Sequence, residues 1–128
     1  KLNDEEIGTV ASLLDLPSGD SRTCAELMRA NYDLDAVVFT RGKLGTFACT
    51  SEGWVEGEPA GFPLAENADS VGAGDACTAA LLSARLLGRP WNATLDMANR
   101  HGAFVASQPG ATPHLSDELW ESYKLASQ

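Results

Sequence analysis

Apolar residues recur along this chain at two spacings, and each spacing predicts a different element. Ile7, Val10, Leu13 and Leu14 follow Asn3 and Glu6, so a helix opens near residue 4 with Asn3 as its cap and those four side chains on one face. Cys24, Leu27 and Met28 mark a second helix beginning at Ser21, after a Pro17-Ser18-Gly19-Asp20 loop. The continuous run Asp35-Ala36-Val37-Val38-Phe39-Thr40 predicts a strand buried on both faces. Residues 46–50 and 54–57 read as two strands around the turn Ser51-Glu52-Gly53, forming a sheet edge. Residues 57–63 are an irregular Gly- and Pro-rich connection. From Ala76 to Leu87 the chain is apolar nearly all round, which predicts a buried helix stopped by Gly88 and Pro90. A further helix spans 91–106, with Leu95, Ala98 and Phe104 inward, then a 107–113 loop and a closing helix capped by Ser116. Helices alternating with strands make this an α/β domain.

Composition narrows the picture. The 128 residues, 44% of them hydrophobic, suffice for a real core. Nine basic residues against eighteen acidic ones give a net charge of -9, which repels nucleic acid and anionic lipid, so neither a nucleic acid nor a membrane is an expected partner. Three cysteines without C-x-x-C spacing suggest neither a disulfide framework nor a zinc site and fit a reducing cytoplasm. His101 and His114 are too far apart for an i,i+4 metal pair and read as surface or packing residues. There is no transmembrane-length apolar run and no signal-peptide pattern, and the first residues read as the interior of a longer sequence.

Chemistry concentrates in Asp69-Ser70-Val71-Gly72-Ala73-Gly74-Asp75-Ala76, which leads into the apolar helix. Two glycines around an alanine let the backbone turn and aim successive N–H groups into one concavity, to which the helix start adds its own unpaired donors. Gly72, Ala73 and Gly74 therefore read as a phosphate cradle, and Asp75 beside them as a general base that strips a substrate hydroxyl during phosphoryl transfer. An ordinary N-cap at Asp75 and a simple turn at the glycines account for the same residues without a ligand. A dinucleotide-binding G-x-G-x-x-G is nearly satisfied, but residues 63–68 lack the apolar strand it requires. No G-x-x-x-x-G-K-[ST] occurs.

Two shorter motifs precede it. Asn3-Asp4-Glu5-Glu6 is an N-x-x-E that a capping box also explains. Thr40-Arg41-Gly42-Lys43-Leu44-Gly45 is a T-x-G-x-x-G at a strand's carboxyl end, the usual ligand edge of an open α/β sheet, although a hairpin turn accounts for Gly42 and Gly45 equally. Arg41 and Lys43 on that turn read equally as charge directed toward a phosphate and as solvated side chains.

Taken in order, N-x-x-E, T-x-G-x-x-G and D-S-V-G-A-G-D closely resemble the C-terminal motifs of the ribokinase-like, or PfkB, family of carbohydrate kinases, with Cys77 where the family commonly has Phe. The resemblance implies a three-layer α/β/α fold whose mostly parallel sheet is flanked by helices. It makes residues 1–128 the C-terminal ATP-binding and catalytic part, without the N-terminal sugar-binding part and lid through which a homodimer would form. It implies ATP-dependent phosphorylation of a sugar hydroxyl of fructose or ribose type, with ATP, Mg2+ and in many members K+. The alternatives are a nucleoside kinase of the same family, or a non-catalytic nucleotide-binding module. By the same resemblance Thr40, Gly42 and Gly45 lie near the nucleotide phosphates, Asn3 and Glu6 organise Mg2+ and phosphate, and Asn99 lies near the adenine unless it is only a polar helix residue. Asp69, Val71, Ala106, Pro109 and Ala111 would enclose potassium, mostly through carbonyl oxygens.

Overall fold

A computed structural model describes residues 1–17 and 19–126; Ser18, in the predicted 17–20 loop, lies outside the described residues. The chain divides into two compact units, Lys1–Glu56 and Gly57–Gln128.

The first unit is a four-stranded sheet with two helices. Strand β1 (Leu2–Asn3) runs into α1 (Asp4–Leu13), α2 (Ser21–Asn31) follows, and β2 (Ala36–Thr40), β3 (Thr46–Thr50) and β4 (Gly53–Glu56) complete the sheet in the order β1-β2-β3-β4. Within this chain the parallel character expected of the sheet is confined to β1–β2, because the hairpin connections make β2–β3 and β3–β4 antiparallel. Of the pair expected at a sheet edge, β4 is an edge strand and β3 lies between β2 and β4; β1 is the other edge.

Register decides what this core contains. Phe39 pairs with Phe47, Val37 with Cys49 and Cys49 with Trp54, so alternate residues of three strands meet on one face. Phe39 and Phe47 stack with centroids 5.7 Å apart, and Trp54 lies 5.5 Å from Phe39. Ile7 and Ala11 from α1 and Cys24, Ala25 and Met28 from α2 close over them. Leu13, expected inward, is 78% exposed. At 100° per residue it sits well off the stripe through Ile7, Val10, Ala11 and Leu14.

The second unit holds α3 (Ala73–Leu86), α4 (Trp91–Ala106) and α5 (Asp117–Ala126). α3 begins three residues before the predicted start, so Ala73, Gly74 and Asp75 form its first turn. It is also not buried all round. Cys77, Ala80, Leu81 and Ala84 make a single buried i, i+3, i+4, i+7 stripe, while Leu82 and Leu86 are exposed. The amides of Gly88 and Arg89 donate to the carbonyls of Arg85 and Ala84, the paired bonds that end a helix on a left-handed glycine. α3 and α4 pack along their lengths, and an alanine in place of Gly102 would bring Cβ to 3.3 Å from Cys77 Cβ. The small thiol at position 77 therefore fits a close helix contact. Leu119 of α5 packs on Phe104 and Val105, and Phe62 meets Phe104 edge-on at 5.5 Å. No helix among the described residues is long and apolar enough to cross a membrane.

Candidate active site

In the second unit the signature turn is held from both sides. Asp69 Oδ1 accepts the Val71 N–H at 3.0 Å and Oδ2 accepts the Gly110 N–H at 3.1 Å, while the Asp69 N–H donates to the Gln108 carbonyl at 3.2 Å. One carboxylate thus ties the turn to the 107–113 loop. Gly72, at φ 82°, is the N-cap of α3, and a Cβ there would fall 2.6 Å from the Ala111 carbonyl oxygen. Only glycine fits, for its left-handed backbone and for the close approach alike.

The turn leaves open two of the three donors the spacing suggests, Gly72 and Gly74, together with Asp75. Ala73 N–H donates to the Ser70 carbonyl at 3.2 Å and Ala76 N–H starts the helix by donating to Gly72. Ala73 is thereby removed from the expected cradle, because its amide closes the turn. Among the described residues no acceptor meets the N–H groups of Gly72, Gly74 or Asp75. Asp75 is exposed in the first turn, and among the described residues its side chain makes no hydrogen bond or ion pair. It is not the N-cap, a position that Gly72 fills without any side-chain bond. Open amides beside a free carboxylate can hold an anion and accept a proton.

Asn99 does not stand free. It is buried, and its Nδ2 donates to the Glu58 carbonyl at 2.8 Å, so its side chain ties α4 to the 57–63 connection. Of the residues the resemblance assigns to potassium, Asp69 and Val71 are joined by a hydrogen bond, Ala111 lies against Gly72, and Pro109 sits in the loop that Asp69 grips. Ala106 is the last residue of α4. No three His, Cys, Asp or Glu side chains among the described residues gather to hold a metal, so a cation bound here would draw on carbonyls and phosphate oxygens.

The first unit collects the two shorter motifs at one sheet end. β1 and β2 are parallel with Asn3 opposite Thr40, so N-x-x-E and T-x-G-x-x-G leave neighbouring strands at their carboxyl ends. Asn3 Oδ1 accepts from the Glu5 and Glu6 amides, and Glu6 Oε2 accepts the Asn3 N–H at 2.8 Å, a complete capping box. Glu6 is nevertheless exposed. The T-x-G-x-x-G closes on itself, since Gly45 N–H donates to Gly42 and Arg41 N–H to the Gly45 carbonyl around a 3-10 turn at Gly42–Leu44.

Arg41 is the residue the sequence reading undervalues. Its guanidinium carbon lies 3.8 Å over the Phe47 ring, and its Nε is buried without a hydrogen-bond partner among the described residues. A T-x-G-x-x-G beside an inward aromatic is the only sequence signal for it.

Residues 1–118 match the model of the pfkB family of carbohydrate kinases. Among curated proteins no sequence matches. The nucleoside kinase of Burkholderia thailandensis in complex with inosine has a similar structure, with TM-score 0.74 and 20% identity over 98% of this chain and 38% of that one. Phosphofructokinase-2 of Escherichia coli in complex with potassium gives 0.72 and 19% over 100% of this chain and 41% of its own. Ribokinase of Thermotoga maritima gives 0.72 and 18% over 96% and 40%. The chain thus spans about two fifths of the length of these ribokinase-like structures and shares their α/β fold. With its family model matched over 118 consecutive residues and its motifs in the family's order, this chain belongs to the pfkB family of carbohydrate kinases.

Proposed function

We propose that residues 1–128 are the nucleotide-handling and catalytic part of an ATP-dependent kinase that phosphorylates a sugar hydroxyl of ribose or fructose type. The observation that carries this reading is the exposed Asp75 carboxylate in the same helical turn as the open Gly74 and Asp75 amides. Asp75 takes the proton of the acceptor hydroxyl as its oxygen bonds to the γ-phosphorus of ATP and the bond from that phosphorus to the ADP oxygen breaks. The open amides of the turn donate to the phosphoryl oxygens as charge spreads over them. Thr40, Gly42 and Gly45 hold the nucleotide phosphates, and Asn99 lies on the adenine side.

The residues fit the cations the family implies. Mg2+, when bound, would neutralise phosphate charge, and Glu6, exposed with one oxygen outside the capping box, would help to hold it. Potassium would be held by Asp69 and the Val71, Ala106, Pro109 and Ala111 carbonyls; the approach of the Ala111 carbonyl to Gly72 and the Asp69 bonds to Val71 and Gly110 support this reading.

The test compares the unchanged protein with Asp75→Asn in an ADP-release assay over a panel of ribose, fructose and nucleosides. The variant should bind ATP as before and lose about two orders of magnitude or more in turnover, the size of a removed general base. Turnover equal to that of the unchanged protein would end the assignment of Asp75, and nucleotide binding without turnover on any acceptor would favour a non-catalytic module.

A further inference from the structure

Arg41 carries a charge that the fold has fixed in place without neutralising it. Its guanidinium carbon lies 3.8 Å over the ring of Phe47, a residue of the aromatic core, and its main-chain N–H closes the loop on Gly45. Among the described residues no carboxylate forms an ion pair with it, in a chain where eighteen acidic residues outnumber nine basic ones. A merely solvated arginine would carry its head into water, yet here Nε is buried without an acceptor. The ring contact uses the face of the guanidinium, and among the described residues its two terminal nitrogens donate to no acceptor, which leaves them available to the oxygens of a phosphate. Lys43, two residues on, is exposed and has no such restraint.

We propose that Arg41 is a phosphate-binding residue of this loop, with Phe47 as the platform that pre-orients it toward the anionic end of a nucleotide. The assignment rests on the reading of Thr40–Gly45 as a nucleotide-phosphate loop and adds its cationic contact. Being planar and stacked, the side chain loses little freedom on binding, which is where an arginine surpasses a lysine at such a position.

The experiment measures binding of ADP and of adenosine by calorimetry at two salt concentrations, for the unchanged protein, Arg41→Met and Arg41→Lys, with thermal melts alongside. Methionine keeps apolar contact with Phe47 and removes the charge. Arg41→Met should weaken ADP roughly ten- to a hundredfold, leave adenosine unchanged and flatten the salt dependence of ADP binding, as expected for one lost charge-assisted contact. Arg41→Lys should recover only part of the affinity. If Arg41→Met binds ADP as tightly and with the same salt dependence as the unchanged protein, Arg41 is only a cover over the aromatic cluster. If the unchanged protein binds no ADP, the loop assignment itself fails, and this proposal with it.

Discussion

At the scale of single residues, Gly72 shows how backbone and loop constrain each other. A side chain there meets Ala111 at less than contact distance and also forces a left-handed backbone, whereas Gly88 has a similar positive φ with open space around it. Gly72→Ala should therefore cost about 2–4 kcal/mol, combining backbone strain with overpacking, against roughly 1 kcal/mol for Gly88→Ala. Urea melts of the two variants check this, and equal losses would show that the Ala111 approach carries no energy. The spacing of GAGD exposed the need for small residues at the turn. It did not reveal that Ala73 N–H is used up by Ser70, because a turn's internal bonds depend on its dihedral angles and not on residue identity.

At the scale of elements, α4 and α5 are joined by a titratable pair. His101 Nδ1 and the Tyr123 hydroxyl are hydrogen-bonded, with ring centroids 5.5 Å apart. Burial pushes the His101 pKa below 6.5, and burial first, then Cys77, pushes Tyr123 up to about 12. The unfolded chain takes up a proton at His101 more readily than the folded one, so stability is full above pH 6.5 and falls as the pH drops from there toward the folded value. Melting temperature should decline over that window and decline less in His101→Gln. The Tyr123 contribution has the opposite direction, present in full below pH 10 and lost as the pH rises to about 12. Element positions were largely readable: α4 matches its predicted 91–106 span and β3 its 46–50 span. The faces were less so. Leu13 and Leu86 are as apolar as Ile7 and Leu81, and only angular position around the helix separates exposed from buried.

At the scale of the whole molecule, the charge balance sets a condition on any phosphate ligand. With a net charge of -9, a nucleotide must be held by backbone donors, a few placed cations and a metal ion. Chelating Mg2+ should weaken ATP binding by about tenfold or more at low ionic strength, and raising salt should narrow that difference as long-range repulsion is screened. Titrating ATP with and without EDTA measures it, and a metal-independent affinity would remove Glu6 from its proposed role. The family and α/β class were legible from motif order, since N-x-x-E, T-x-G-x-x-G and GAGD occupy the first 118 residues that the family model matches.

By itself the sequence determined the order of the helices and of strands β2 to β4, the family, and which short stretches bear the chemistry, while β1 exists only through its pairing with β2. Those depend on local periodicity, turn-forming residues and the side-chain types a reaction needs, all written along the chain. Only the tertiary structure decided that Asn3 lies opposite Thr40, that Asp69 grips Gly110, that Gly72 has no room for a side chain beneath Ala111, and that Arg41 rests on Phe47. Strand register and loop contacts across about forty residues arise from the packing of side chains far apart in sequence, which no local pattern encodes.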